Sequence, residues 1–162
     1  MPLISPHNQN PLIDGRQSPR ALRVRRGVQT LLTEMGAAHI PELTLANGRR
    51  ADLTAIFNDG SIWIIEIKSS IEDIRSDAKW PDYREYCDQL YFATLPDVPR
   101  ALFPEDCGFI CADQHSAEIL RTSPISKMQS PRRKAVMLRF AQFAAAKLLQ
   151  AELCSFTTGP AS

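Results

Sequence analysis

Residues 61–69 read SIWIIEIKS, and this stretch constrains the fold more than any other. From Ile62 to Ile67 nearly every side chain is apolar, without the alternation of a half-exposed strand. Such a strand is covered on both faces and lies centrally in its sheet. It nonetheless ends in two charges, Glu66 and Lys68. Side chains alternate along a strand, so Glu66 and Lys68 share a face while Ile67 points into the core. A carboxylate and an ammonium at the end of a buried strand are expensive unless paired or bound to something.

The strand before it, residues 50–57 (RADLTAIF), is joined to it by Asn58-Asp59-Gly60, which is hairpin chemistry. A two-residue loop, 59–60, sets Asp52 opposite Ile67. A three-residue loop, 58–60, sets Asp52 opposite Glu66. A one-residue slip flips the face, so the choice is discrete. Glycine at the last loop position suits the three-residue turn with its bulge. That register brings the two carboxylate-bearing Cβ atoms to roughly 5 Å. Carboxylates that close repel, and a hard cation, Mg²⁺ or Mn²⁺, relieves the repulsion. The carbonyl of Ile67 offers a further oxygen ligand. Lys68 beside such a site can orient a water, help deprotonate it and stabilise charge building on a phosphate.

The rest of the chain supplies the covering layers. Ser18-Pro19 is a capped helix start. Val24, Val28, Leu31 and Met35 form one face of that helix, and Gly36 stops it. A short strand is expected at 42–46, before the Asn47-Gly48 turn. A second helix is expected from about Asp82 to Thr94, with Tyr83, Tyr86 and Leu90 on one face. Strands follow at 107–112 (CGFICA) and 118–121, and a long helix runs from Ser130-Pro131 to about Leu153. Its apolar arc, Val136, Met137, Phe140, Phe143, Ala144 and Leu148, should lie against the sheet. The order predicts an α/β sandwich with a mixed sheet. At 162 residues, the chain divides into an arm (1–17), one domain (18–154) and a tail (155–162).

Hydrophobic residues at 44% and charged residues at 23% exclude a disordered chain. No apolar run is long enough for a membrane helix. The four cysteines form no CxxC pair, and no signal peptide is read, so a cytoplasmic protein with reduced thiols is expected. Net charge is only +1, but it is unevenly spread. Residues 16–26 hold five Arg and no acid, and residues 127–139 hold three Arg, two Lys and no acid. Two basic flanks around an acidic centre suit contacts to a DNA backbone. The candidates are Arg23, Arg26, Arg132 and Arg133, with Lys79 in a loop nearer the acidic centre. Trp80, Tyr83 and Tyr86 could stack on bases, although helical spacing more often means core.

Asp52…Glu66-Ile67-Lys68, on two strands after a helix and a strand, resembles the PD-(D/E)XK nuclease superfamily with its restriction-endonuclease-like αβββαβ core. Ala51 stands where the superfamily name has proline. Lys68-Ser69-Ser70, Asp73, Asp77, Lys79-Trp80-Pro81-Asp82-Tyr83 and Cys87-Asp88-Gln89-Leu90-Tyr91-Phe92-Ala93 are similar to the MmcB-like DNA repair protein family of bacteria. The resemblance implies a Mg²⁺-dependent repair nuclease, with Asp52, Glu66 and Ile67 on the metal and Lys68 assisting the water. It also implies Gln89 reaching the site from the second helix, and DNA and other repair proteins as partners. Resolvase-like relatives carry a glutamate early in the first helix as a further metal ligand; here that position is about Arg25. The alternative is a non-catalytic, nuclease-like subunit that binds DNA or protein.

Overall fold

The structure, a computed structural model, describes residues 17–157. The proposed arm lies outside the described residues except for Gln17, as do tail residues 158–162. Ser18 accepts from the Ala21 N–H and Pro19 opens helix α1 (Pro19–Glu34), which ends at Gly36 with φ of 75°. Strands β1 (Ala38–Thr44), β2 (Arg50–Ile56) and β3 (Ile62–Ile67) follow as an antiparallel meander. A short helix α2 (Ile71–Ser76) and a 3₁₀ helix (Trp80–Tyr86) then cross to β4 (Gln89–Thr94), which runs parallel to β3. Strand β5 (Gly108–Ala112) is parallel to β4, and β6 (Ala117–Arg121) returns antiparallel. Helix α3 (Ser130–Thr157) ends the described chain.

The six strands lie in sequence order, β1 to β6, so β3 is central and is where antiparallel pairing gives way to parallel. All six of its residues are buried. On one face α1 covers Leu53, Ala55, Ile65 and Tyr91 with Val24, Val28 and Leu32. On the other, Ile74, Tyr83 and Val136 from α2, the 3₁₀ helix and α3 cover Ile62, Ile64, Leu90 and Phe92. Gly27 lets α1 approach the β5–β6 turn: a Cβ there would lie 2.0 Å from the Asp113 carbonyl oxygen.

Three expectations are corrected. Residues 82–94 are not one helix: the 3₁₀ helix ends at Tyr86, and Gln89–Thr94 is a fully buried parallel strand. Strand β1 starts at Ala38 and ends at Thr44, not at 42–46. Only the first half of α3 packs on the sheet side, through Val136, Met137, Phe140 and Phe143. Leu148 is 64% exposed and Phe156 81%, and the helix continues through residues 155–157, which the tail had claimed.

Candidate functional site

The β2–β3 hairpin decides the site. Leu53 pairs with Ile65 and Ile56 with Ile62. Phe57 and Ser61 close the turn, and Gly60 adopts φ of 84°. The loop is therefore the three residues 58–60, and one further step along the ladder sets Asp52 opposite Glu66. The two side chains lace the strands together: the Asp52 N–H donates to Glu66 Oε1 (3.1 Å), and the Ile67 N–H donates to Asp52 Oδ2 (2.7 Å).

Glu66 is 4% exposed, and its carboxyl is pushed well above the ordinary range by burial and then by the charge of Asp52. Burial likewise raises Asp52 to about 6, against the bond from Ile67. The sign of the consequence is fixed. An acid that titrates near 3.8 unfolded and near 6 folded leaves stability untouched below about pH 4. The Asp52 share of stability should then fall as pH rises to about 6, by at most ~3 kcal/mol, and Glu66, raised as well, adds to the fall. Thermal melts across pH 4–7 should show this fall, and Asp52→Asn should shrink it; an unchanged profile in the variant would refute the assignment.

Lys68 lies at the carboxyl end of β3, where its N–H donates to the Ala93 carbonyl and its own carbonyl accepts from Thr94 Oγ1. Its ammonium is 2.7 Å from Asp77 Oδ2, and both side chains are largely enclosed, at 13% and 9% exposure. Burial acts to lower Lys68, but the bond to Asp77 and the surrounding carboxylates outweigh it, and the net shift is upward. Asp77 accepts through its other oxygen from the Lys79 and Trp80 N–H groups. A cleft on the Asp52 side is lined by Ser18, which caps α1, and by Ala21, Asp52, Ile67, Ser69 and Asp73.

Two further charged residues adjoin Asp52: Glu42, which sequence reasoning did not place here, and Arg25, which it did. Glu42 sits between Pro41, which pairs with Leu53, and Leu43, which pairs with Ala51, so it lies opposite Asp52. Its φ of 62° is a strained value for a residue with a Cβ. Its carboxylate accepts from Gln17 Nε2 (2.6 Å) and pairs with Arg50 Nε (2.6 Å). The Asn47-Gly48 turn would have given this register had the strand been drawn from Ala38. Arg25 is buried at 5% exposure, bonds Gln17 Oε1, and its charge acts on Glu42 and Asp52. A cation thus stands at the first-helix position where the sequence resemblance implied a further carboxylate.

Other candidates separate from the site. Gln89 opens β4 beside Trp63, three residues from the level of Glu66, and donates to the Ser123 carbonyl. It is a buried strand residue and does not reach the carboxylates, which overturns its expected role. Arg133 is held bidentately by Asp88 at 2.6 Å and bonds the Gly60 carbonyl, so its guanidinium is committed to the fold. Arg132 pairs with Glu85 and lies over the Tyr86 ring. Arg23 and Arg26 are exposed on α1, and exposed Lys79 follows Asp77 by two residues. Tyr83 is buried and donates to the Arg50 carbonyl, and Trp80 packs edge-on against Phe92, so both serve the core. Among the described residues no group of three His, Cys, Asp or Glu side chains is placed to hold a metal, so a cation here would rest on two carboxylates and main-chain oxygen.

The mixed sheet, with an acid pair and a lysine at the point where its pairing changes direction, defines an α/β domain consistent with a restriction-endonuclease-like core. The chain belongs to the MmcB-like family of DNA repair proteins, whose family model matches residues 8–155. It is similar to the solved structure of a protein of unknown function from Silicibacter pomeroyi, with 36% identity and a TM-score of 0.80 over 84% of this chain and 93% of that one. No curated protein matches. No helix among the described residues is long and apolar enough to cross a membrane.

Proposed function

We propose that this chain is a Mg²⁺- or Mn²⁺-dependent DNA nuclease of the PD-(D/E)XK type, acting in repair. The observation that carries this reading is the enclosed Asp52–Glu66 pair with Lys68 two residues beyond Glu66, at the end of β3. The donor set fits a hard cation. Both groups present anionic oxygen, both are driven toward neutrality by burial, and a divalent ion would supply the charge that keeps them ionised. Asp52, Glu66 and the Ile67 carbonyl would hold it. Such an ion acidifies water and polarises a phosphodiester. Lys68 then orients the attacking water and offsets negative charge growing on the phosphate, as positioned donors in an enclosed site do.

The location of Arg25 favours a second reading, a nuclease-like subunit that binds DNA without cutting it. A buried guanidinium beside Glu42 and Asp52 partly supplies the charge that a cation would bring. Incubation with duplex, single-stranded, flapped and branched DNA in Mg²⁺ or Mn²⁺ separates the readings. The nuclease cuts at least one substrate and stops in EDTA; the subunit cuts none.

Arg23, Arg26 and Lys79 are exposed and accessible to phosphates. Affinity should fall steeply with salt, log K dropping by roughly 0.9 per phosphate neutralised. Arg23→Glu with Arg26→Glu should weaken binding to all sequences alike and flatten the salt slope. An unchanged slope in that variant would move the interface off α1.

A further inference from the structure

Lys68 has carboxylates on more than one side, and the pair it makes is with the one outside the strand motif. Asp52 and Glu66 both act on its charge, yet its ion pair is with Asp77, 2.7 Å away, and neither strand acid bonds it. That choice has a local cause. Ser70 caps α2, and Asp77 follows the helix immediately. The Lys79 and Trp80 N–H groups hold Asp77 Oδ1 at 2.8 and 3.1 Å, which aims Oδ2 at the ammonium. A lysine is a compact charge on a flexible four-carbon stem with freely rotating donors. Deprived of Asp77, it would fold onto the nearest buried carboxylates.

We infer that Asp77 is a positioning residue that draws the Lys68 ammonium off Asp52 and Glu66 and so leaves that pair open to a divalent cation. The inference rests on the metal-dependent reading above, and it gives α2 and the turn after it a task in the site. Two consequences follow. Without Asp77 the ammonium competes with the cation for the same oxygens. The competition disappears when the ammonium is removed as well, which no purely structural role of Asp77 reproduces.

Asp77→Asn is the informative change. Asparagine keeps the oxygen that accepts from Lys79 and Trp80, since Asn and Asp make such turns alike, and it removes the charge facing Lys68. Mn²⁺ binding to the full chain without DNA, followed by calorimetry or by loss of the free-ion electron-spin signal, gives the result. Affinity should weaken by about tenfold in Asp77→Asn, and the same change made in a Lys68→Met background should weaken it by no more than about threefold, a coupling of the size that touching charges show. Asp77→Ser, whose hydroxyl can also accept in the turn, should behave as Asp77→Asn does and replaces it if the asparagine variant melts early. Equal Mn²⁺ affinity in wild type and Asp77→Asn would overturn the role of Asp77 while leaving the metal site standing. Equal losses in both backgrounds would reduce Asp77 to a turn residue. Failure of the wild type to bind Mn²⁺ at all would remove the metal site, and this role with it. Coupled Mn²⁺ binding without cleavage of any DNA would support the role of Asp77 and strike out only the nuclease activity.

Discussion

Lys68→Ala should slow DNA cleavage by ~100-fold or more while the protein stays folded and still binds Mn²⁺. Lys68 contributes no oxygen ligand, so its loss spares the cation. It does remove a cationic side chain at the carboxyl end of β3 whose charge acts on both Asp52 and Glu66. Asp52→Asn and Glu66→Gln should fail differently, losing metal binding together with turnover, because each deletes one of two anionic oxygen donors. Those two variants should melt no earlier than wild type, since each relieves a buried carboxylate of the repulsion between them. Single-turnover cleavage, Mn²⁺ titration and a thermal melt on each variant make the pattern unambiguous. The non-catalytic subunit predicts no cleavage by wild type and unchanged DNA binding by all three. Rapid cleavage by Lys68→Ala would take the lysine out of the chemistry.

The site was legible in the sequence where local chemistry determined geometry. Gly60 determined the loop length, loop length determined the register, and the register determined which face Asp52 occupies. The continuous apolar run of β3 announced a strand covered on both sides. Ser18-Pro19 announced α1 to the residue. Each of these depends on neighbours within a few positions.

What was not legible depended on partners far along the chain. Tyr83, Tyr86 and Leu90 have helical spacing, but a 3₁₀ helix also brings round every third residue, and β4, buried on both faces, shows no alternation to contradict a helix. No glycine or proline marks the break between them. Asp88 marks it, through bonds to Ile62, Met128 and Arg133, which lie 26 to 45 residues away. The same misplaced helix sent Gln89 toward the site. Glu42 escaped notice because its strand begins four residues earlier than expected, and a positive φ at a non-glycine residue has no signature in the sequence. The outer half of α3 carries apolar residues at core-like spacing, and only the fold shows that nothing within the described residues covers Leu149, Leu153 and Phe156.

Asp88→Ala should destabilise the protein by about 3–5 kcal/mol, more than any change at the carboxylate pair. Asp88 is 4% exposed and its carboxylate is saturated. It accepts from the Ile62 N–H (2.8 Å), the Met128 N–H (2.9 Å) and both terminal nitrogens of Arg133 (2.6 Å each). Burial pushes its carboxyl up, but Arg133 and the two N–H groups outweigh that and hold it below the usual carboxylate range. Alanine would leave two enclosed N–H groups without their acceptor and a largely enclosed guanidinium with the Gly60 carbonyl but no counter-charge, and groups stranded in that way cost far more than the bonds themselves contribute. A drop in Tm of roughly 6–20 °C is expected for a chain of this size. Arg133→Met should cost a comparable amount, and Asp88→Ala with Arg133→Met less than the two singles together, because each single strands the other member of the pair. The clamp also ties the Gly60 carbonyl of the β2–β3 turn to α3. It therefore anchors the start of the strand whose other end bears Glu66 and Lys68. Loss of DNA binding in an Arg133 variant would report a loosened fold and not a missing phosphate contact, and the melt distinguishes the two: a variant with wild-type Tm and weakened DNA binding would return Arg133 to the interface.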